Sequence, residues 1–260
     1  MEYHTIKTEI DGAACVITLN RPERRNAISI ATMDELLSAA KAAEETPGVC
    51  GVILSGGEQY FSAGADLNDA LAISSSQEAV DYFHRWHRLT TALEGLAKPV
   101  IAAVEGFCMT GGCELALACD LRVAAEGSSF GITSSRIGTV PGAGGSQRLP
   151  RLIGTARALE LLFSADSVDA QEAYRIGLVN RLVPRGRALA EAKAMVAVYA
   201  ERAPLSLAWD KRAVYQGMQM DLAAGLEFET FLVSTIYMSN DRKEGISAFL
   251  EKRRPAFKGN

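Results

Sequence analysis

Two stretches near the start of the chain, Tyr3–Ile10 and Ala13–Leu19, alternate apolar and polar side chains closely enough to predict strands, with Asp11-Gly12 as the turn between them. The period then changes. From Ser29 to Thr46 the residues Met33, Leu36, Leu37, Ala40 and Ala43 recur at helical spacing, Ser29 stands where an N-cap belongs, and Pro47-Gly48 stops the run. Val49–Leu54, Val100–Val104 and Leu121–Ala125 are short apolar runs, the pattern of buried strands. Gln77–Leu96 reads as a helix halted before Lys98-Pro99, and Phe61-Ser-Ala-Gly-Ala-Asp-Leu as a strand end turning into a polar, Ser-rich segment. Gly138 to Gly145 is a Gly/Pro-rich loop. Beyond it, helices are predicted over Gln147–Ile153, Thr155–Phe163, Asp169–Ile176, Arg187–Arg202, Pro204–Gly217, Asp221–Met238 and Asp241–Lys252. Strands thus alternate with helices to about residue 183 and helices alone follow, which predicts an α/β core with a helical C-terminal part and no Ser/Gly linker between them.

One local pattern occurs twice. A short strand, a Gly turn and a helix start follow one another at Ser62–Asp66 and again at Thr110–Glu114. A strand feeding through Gly111-Gly112 into an apolar helix leaves unpaired N–H groups at the helix start, and the helix dipole adds positive potential there. Glycine lets a substrate atom approach the backbone. An oxygen gaining negative charge would be well held at such a place, and Ala63-Gly64-Ala65-Asp66 offers a second donor of the same kind. Glu114 lies in Gly-Gly-Cys-Glu-Leu-Ala-Leu-Ala-Cys with no basic neighbour within seven residues. Desolvation in an apolar helix raises a carboxyl pKa, which suits acid/base work near neutral pH. An exposed Glu, or one paired with a distant Arg, is the structural alternative.

Composition and charge narrow the classes. At 260 residues, 48% apolar and 22% charged, the chain has the make-up of an ordinary globular protein. The net charge of −4 and the absence of a long basic block argue against nucleic-acid and anionic-membrane surfaces. MEYHTIKTEI has neither a basic nor an apolar region of the secretory kind, so a cytoplasmic protein is expected. Five cysteines without a C-x-x-C read as buried reduced thiols, and His84 and His87 lack a third ligand nearby, so no metal is expected. Pro141-Gly-Ala-Gly-Gly-Ser lacks the ending of a phosphate loop. Gly127-Ser-Ser-Phe-Gly131 matches a nucleophile elbow, but His4, His84 and His87 all precede it, the wrong order for that triad.

Six segments carry a resemblance. Asn20-Arg-Pro-Glu-Arg-Arg-Asn-Ala, Phe61-Ser-Ala-Gly-Ala-Asp-Leu, Lys98-Pro-Val-Ile-Ala-Ala-Val-Glu-Gly, Gly111-Gly-Cys-Glu-Leu-Ala-Leu-Ala-Cys-Asp, Gly138-Thr-Val-Pro-Gly-Ala-Gly-Gly-Ser-Gln-Arg-Leu-Pro-Arg and Glu244-Gly-Ile-Ser-Ala-Phe-Leu-Glu-Lys-Arg resemble the enoyl-CoA hydratase/isomerase (crotonase) family in order and spacing, over nearly the whole chain. The resemblance implies an α/β fold with a crotonase-like spiral core of β-β-α units over residues 1–200. A C-terminal helical oligomerisation region over 201–260 is implied too, with assembly as a homotrimer or homohexamer. It implies an acyl-CoA thioester substrate, coenzyme A being part of that substrate and no further cofactor needed. Ala65 and Gly111 would bind the thioester oxygen; Ala63, Asp66 and Leu67 would line the coenzyme A pocket. Arg24 would meet its phosphates, with Arg25 as an alternative. Lys252 would reach the coenzyme of a neighbouring subunit.

Hydratases of that family use two glutamates. Glu114 matches the first. The second position follows Phe130-Gly131 and is Ser134 here, with no carboxylate anywhere from Ile132 to Val140. A hydroxyl can orient water but is no acid near neutral pH, and a positioned acid/base group contributes about 10²–10⁴-fold. The expectation is therefore a lyase, an enoyl-CoA hydratase working with Glu114 and Ser134. Malonyl-type decarboxylation, thioester hydrolysis and non-catalytic acyl-CoA binding are the alternatives. The acyl group is not legible.

Overall fold

The computed structural model describes residues 2–260. Its first half runs β1 (Ile6–Asp11), β2 (Ala14–Leu19), α1 (Ile30–Glu45), β3 (Gly51–Ser55), α2 (Leu67–Leu71), α3 (Ser76–Gly95), β4 (Val100–Val104), β5 (Phe107–Met109), α4 (Gly111–Leu117), β6 (Leu121–Ala125) and β7 (Ser129–Gly131). A 3-10 turn over Ser134–Ile137 follows. The second half runs α5 (Gly145–Ile153), α6 (Thr155–Ser164), β8 (Val168–Asp169), α7 (Ala170–Arg175), β9 (Arg181–Val183), α8 (Ala188–Tyr199), α9 (Pro204–Gly217), α10 (Leu222–Ile236) and α11 (Asn240–Leu250).

The strands form two sheets: six strands in the order β1-β2-β3-β4-β6-β9, and three in the order β5-β7-β8. All neighbours in the larger sheet beyond the first hairpin are parallel. The chain visits the two sheets in rotation. It leaves β4 for β5 and then α4, and leaves β6 for β7 and then the 3-10 turn and α5. After β3 it makes a single bridge, Ser62 to Cys108 of β5, before entering α2. Each circuit therefore passes from the large sheet to the small one and ends on a helix.

Both faces of the large sheet are buried, which explains why β3 and β4 read as unbroken apolar runs. Val52, Leu54, Val100, Ala102 and Val104 face one way, onto α1, α3 and α4. Ile53, Ile101, Ala103, Val123 and Ala125 face the other, onto Ala188, Ala192, Met195 and Val196 of α8. Past α8, the helices α9 and α10 pack on each other, and α10, α11 and the turn between them leave Leu222, Phe231, Met238, Phe249 and Leu250 exposed. Among the described residues no helix is long and apolar enough to cross a membrane.

Several expectations need correction. The first turn is Gly12-Ala13, with Gly12 at φ +58°, one residue later than Asp11-Gly12. Within the polar, Ser-rich segment after Phe61 lies the short helix α2, which Asp66 caps by accepting the Asn68 N–H. The small sheet, built of two- and three-residue strands, went unread, as did β9. Ser29 does cap α1, accepting the Thr32 N–H, and Pro204–Gly217 is a helix to the residue.

Candidate active site

Extended backbone turns successive N–H groups to opposite sides. At residues 64–66, Gly64 O accepts from Ile28 N and Asp66 N donates to Ile28 O, at 2.8 and 2.9 Å. The Ala65 N–H is therefore turned the other way, and among the described residues it has no acceptor. Gly111 opens α4, where the first amide is an orphan by helix geometry. The two segments touch: a Cβ placed on Gly111 would lie 3.0 Å from Ala65 N and 3.1 Å from the Trp86 ring. Glycine at 111 is thus demanded by the neighbouring amide and the buried indole, and two unspent N–H groups stand side by side.

Thr110, the residue that aims the Gly111 amide, has φ +44° and ψ −115°. A β-branched residue pays about 1–3 kcal/mol for such a conformation. Its surroundings impose it. Thr110 N donates to Gly131 O at 2.7 Å, its O accepts from Glu114 N at 2.8 Å, and its Oγ1 meets Thr133 Oγ1 at 2.9 Å. These bonds join the start of α4 to the turn that carries Ser134.

Glu114 is 3% exposed, so it does not face bulk solvent. Its Oε1 accepts two backbone bonds, from Ala143 N and Gly145 N, both 2.8 Å. Among the described residues its Oε2 has no hydrogen-bond partner, and it is not fully enclosed. Burial pushes the carboxyl up to about 7; the Gly145 and Ala143 amides and the more distant Arg148 pull it partly back. The two amides come from the Gly-rich loop, held by a run of close approaches in which a Cβ on Gly145 would meet Glu114 Oε1 at 2.9 Å and Ile132 at 2.8 Å. Ser134, two residues past Ile132, is 3% exposed, and among the described residues its hydroxyl likewise has no partner yet is not fully enclosed.

The remaining expected residues are Asp66, Ala63, Leu67, Arg24 and Lys252. Asp66 is buried; burial alone would raise its pKa, but Arg21, bonded at 2.8 Å, and the Asn68 N–H hold it below the ordinary value. Its carboxylate is therefore largely spent within the protein. Ala63, whose N–H bonds Arg25 O, and Leu67 are exposed, as is Arg24 on the neighbouring 3-10 turn over Pro22–Arg24. Lys252 is exposed just beyond α11. All five cysteines are free; among the described residues no group of three or more His, Cys, Asp or Glu side chains could hold a metal ion.

Sequence reasoning missed Thr110, Ala143, Gly145, Arg148 and Glu94. Three glycines within Gly142–Gly145 are the signal that could have found the loop, since such density marks close approach to backbone. Arg148 and Glu94 are 54 residues apart in the chain and only folding pairs them.

A buried carboxyl near neutrality on the helix that begins with one of two unspent amides is an arrangement chemically able to stabilise an enolate and move its proton. The comparisons give the family. The family described as enoyl-CoA hydratase/isomerase matches residues 9–260. A probable enoyl-CoA hydratase of Mycobacterium tuberculosis is 38% identical over 258 residues, 99% of each chain. A crotonyl-CoA hydratase of Syntrophomonas wolfei is also 38% identical over 99% of each. The solved enoyl-CoA hydratase of Bacillus anthracis superposes with a TM-score of 0.93 at 37% identity, covering 99% of this chain and 100% of that one. The protein belongs to the enoyl-CoA hydratase/isomerase family, is an enzyme of that family, and has the crotonase fold.

Proposed function

We propose that the protein adds water across the 2,3 double bond of an enoyl-CoA thioester. The observation that carries this reading is Glu114: buried, poised at about 7, one oxygen anchored and the other open. The thioester carbonyl takes the Ala65 and Gly111 N–H groups. Ionised Glu114 removes a proton from water as its oxygen bonds to Cβ, and the electron pair of the double bond moves onto the carbonyl oxygen as an enolate. The amides hold that charge. Glu114 then returns the proton to Cα, so one carboxyl serves both steps and the balance is one water added. The Ser134 hydroxyl orients the water without supplying an acid. Relatives named as enoyl-CoA and crotonyl-CoA hydratases support the choice of reaction.

Coenzyme A enters with the substrate and no other cofactor is required. Ala63, Asp66, Leu67 and Arg24 form its entry, with Arg21 fixing Asp66. Residues 201–260 act as the oligomerisation region of a homotrimer or homohexamer, in which Lys252 reaches a neighbour's coenzyme. The apolar side chains exposed on α10 and α11 support this, since a stable monomer seldom leaves such a group uncovered. Free thiols fit the reducing cytoplasm.

Enoyl-, malonyl- and β-hydroxyacyl-CoA esters followed by product mass test the reading. Gain of one water by an enoyl ester is expected. Loss of carbon dioxide from a malonyl ester, with no hydration, overturns it in favour of the decarboxylase that Ser134 in place of a second carboxyl would suit. A further expectation concerns that position. Ser134→Glu restores a second acid and raises crotonyl-CoA hydration by up to about 10²–10⁴-fold. A folded variant with no gain counts against hydration as the reaction.

A further inference from the structure

The loop that holds Glu114 is itself held. Ala143 donates its N–H to Glu114, and its carbonyl oxygen accepts from Arg148 Nη1 at 3.1 Å. Arg148 then forms a two-toothed pair with Glu94 of α3, Nε to Oε1 at 2.6 Å and Nη2 to Oε2 at 2.8 Å. Both side chains are mostly buried, with 17% and 23% of their surfaces exposed. Gly144 makes room for this, with φ +106° and a would-be Cβ only 1.9 Å from Arg148 Nη1. The links run Glu94, Arg148, Ala143, Glu114.

We infer that Arg148 and Glu94 are positioning residues: together they fix the Ala143–Gly145 amides against Glu114 and set the charge that Glu114 sees from behind. The fork geometry makes Arg specific here, because a carboxylate and a carbonyl are engaged in fixed directions at once.

The neighbouring charges leave this pair in control. Asp120 takes Lys211 at 2.9 Å and the Tyr215 hydroxyl at 3.0 Å. Burial and that carboxylate push the Tyr215 phenol well up, so it stays neutral. Arg122 spends its guanidinium on the carbonyls of Leu178, Ala116 and Cys119. Arg151 is exposed and bonded to Gln147, and His87 of α3 lines, with Glu94 and Arg148, a cavity of about 750 Å³. From α3 the buried Tyr82 phenol, pushed up by burial, is neutral too. Glu94 is therefore the carboxylate in contact with Arg148, and Arg148 the cation that acts on Glu114.

The inference rests on Glu114 as the base, active when ionised, so activity rises with pH through its pKa. Arg148→Met removes a cation that favours ionisation, and the acid limb moves to higher pH. Glu94→Gln leaves Arg148 uncompensated, and the limb moves to lower pH. Arg148→Lys keeps the charge and loses the fork: the limb returns towards wild type while kcat stays depressed, by up to about 10²-fold for a misplaced base, with KM little changed.

The experiment measures kcat and kcat/KM against pH for the three full-length variants on crotonyl-CoA. It also titrates the Glu114 carboxyl carbon by 13C NMR, assigned by its absence in Glu114→Gln. Opposite shifts for Arg148→Met and Glu94→Gln support the inference; shifts of the same sign, or none, overturn it. If Arg148→Met does not fold, the Glu94→Gln shift and the Arg148→Lys split decide. An active Glu114→Gln enzyme would mean that the base assignment has failed, whereas an inactive one with unmoved limbs would mean that this inference alone has failed.

Discussion

Glu114→Gln loses turnover by about 10²–10⁴-fold, the contribution of a positioned acid/base group, while still binding coenzyme A esters. The amide keeps the shape and one carbonyl oxygen for Ala143 N and Gly145 N, so the loop stays in place. What disappears is the proton carrier. The same substitution changes stability with a definite sign. Burial raises the carboxyl from 4.5 to about 7, so between those values the folded protein holds a proton that the unfolded chain has released. Raising pH then favours unfolding. Stabilisation by this group is complete below about 4.5 and lost as pH climbs through about 7, a change that corresponds to about 3 kcal/mol. Urea melts of both proteins at about pH 5 and about pH 8 should show wild type losing stability relative to Glu114→Gln at the higher pH. A parallel pH response in the two proteins, or near-wild-type turnover in the variant, would make Glu114 a structural residue. Wild-type turnover should itself fall as pH drops through about 7, because the base must be ionised.

The elements that periodicity and caps specify strongly are the ones that were legible. Ser29 announced α1, and the apolar runs announced β4 and β6, because each signal is local and belongs to an element at least five residues long. The small sheet was illegible for the opposite reason. Its strands β5, β7 and β8 span three, three and two residues, too few for an alternation to be counted, and they are held by neighbours far along the chain. The spiral was reached through resemblance rather than pattern.

The site divides in the same way. Gly111 and Glu114 stood out because one is a backbone necessity and the other a lone charge in an apolar helix. The strain at Thr110 was invisible: nothing in a threonine advertises φ +44°. Nor does the sequence show that the Gly-rich loop folds back to give its amides to Glu114. That loop read as a connection between elements, and its function lies in the backbone, which every residue possesses. The oxygen left open on Glu114 and the open Ser134 hydroxyl emerge only from counting which polar atoms the fold satisfies.

Gly111→Pro should cost about 10²–10³-fold in kcat, some 3–4 kcal/mol of transition-state stabilisation, by removing one of two donors to the enolate oxygen. The position makes this substitution informative. Gly111 is the first residue of α4, where that N–H has no helical acceptor, although proline would also press on the Thr110 backbone at ψ −115°. Loss of the donor therefore takes no hydrogen bond from the fold. Space is the difficulty: the added Cβ would approach Ala65 N at 3.0 Å and Trp86 at 3.1 and 3.2 Å. Crowding could displace the second donor as well. Glycolic acid introduced at position 111 separates the two effects, since it exchanges the N–H for an ester oxygen and adds no atom. Both variants should retain affinity for a saturated acyl-CoA, and the bound thioester carbonyl should lose part of its infrared shift in each. If the glycolic acid enzyme turns over at the wild-type rate with an unaltered carbonyl band while the proline enzyme is inactive, the Gly111 amide holds no charge and the effect of proline is steric. An equal loss in both assigns the donor.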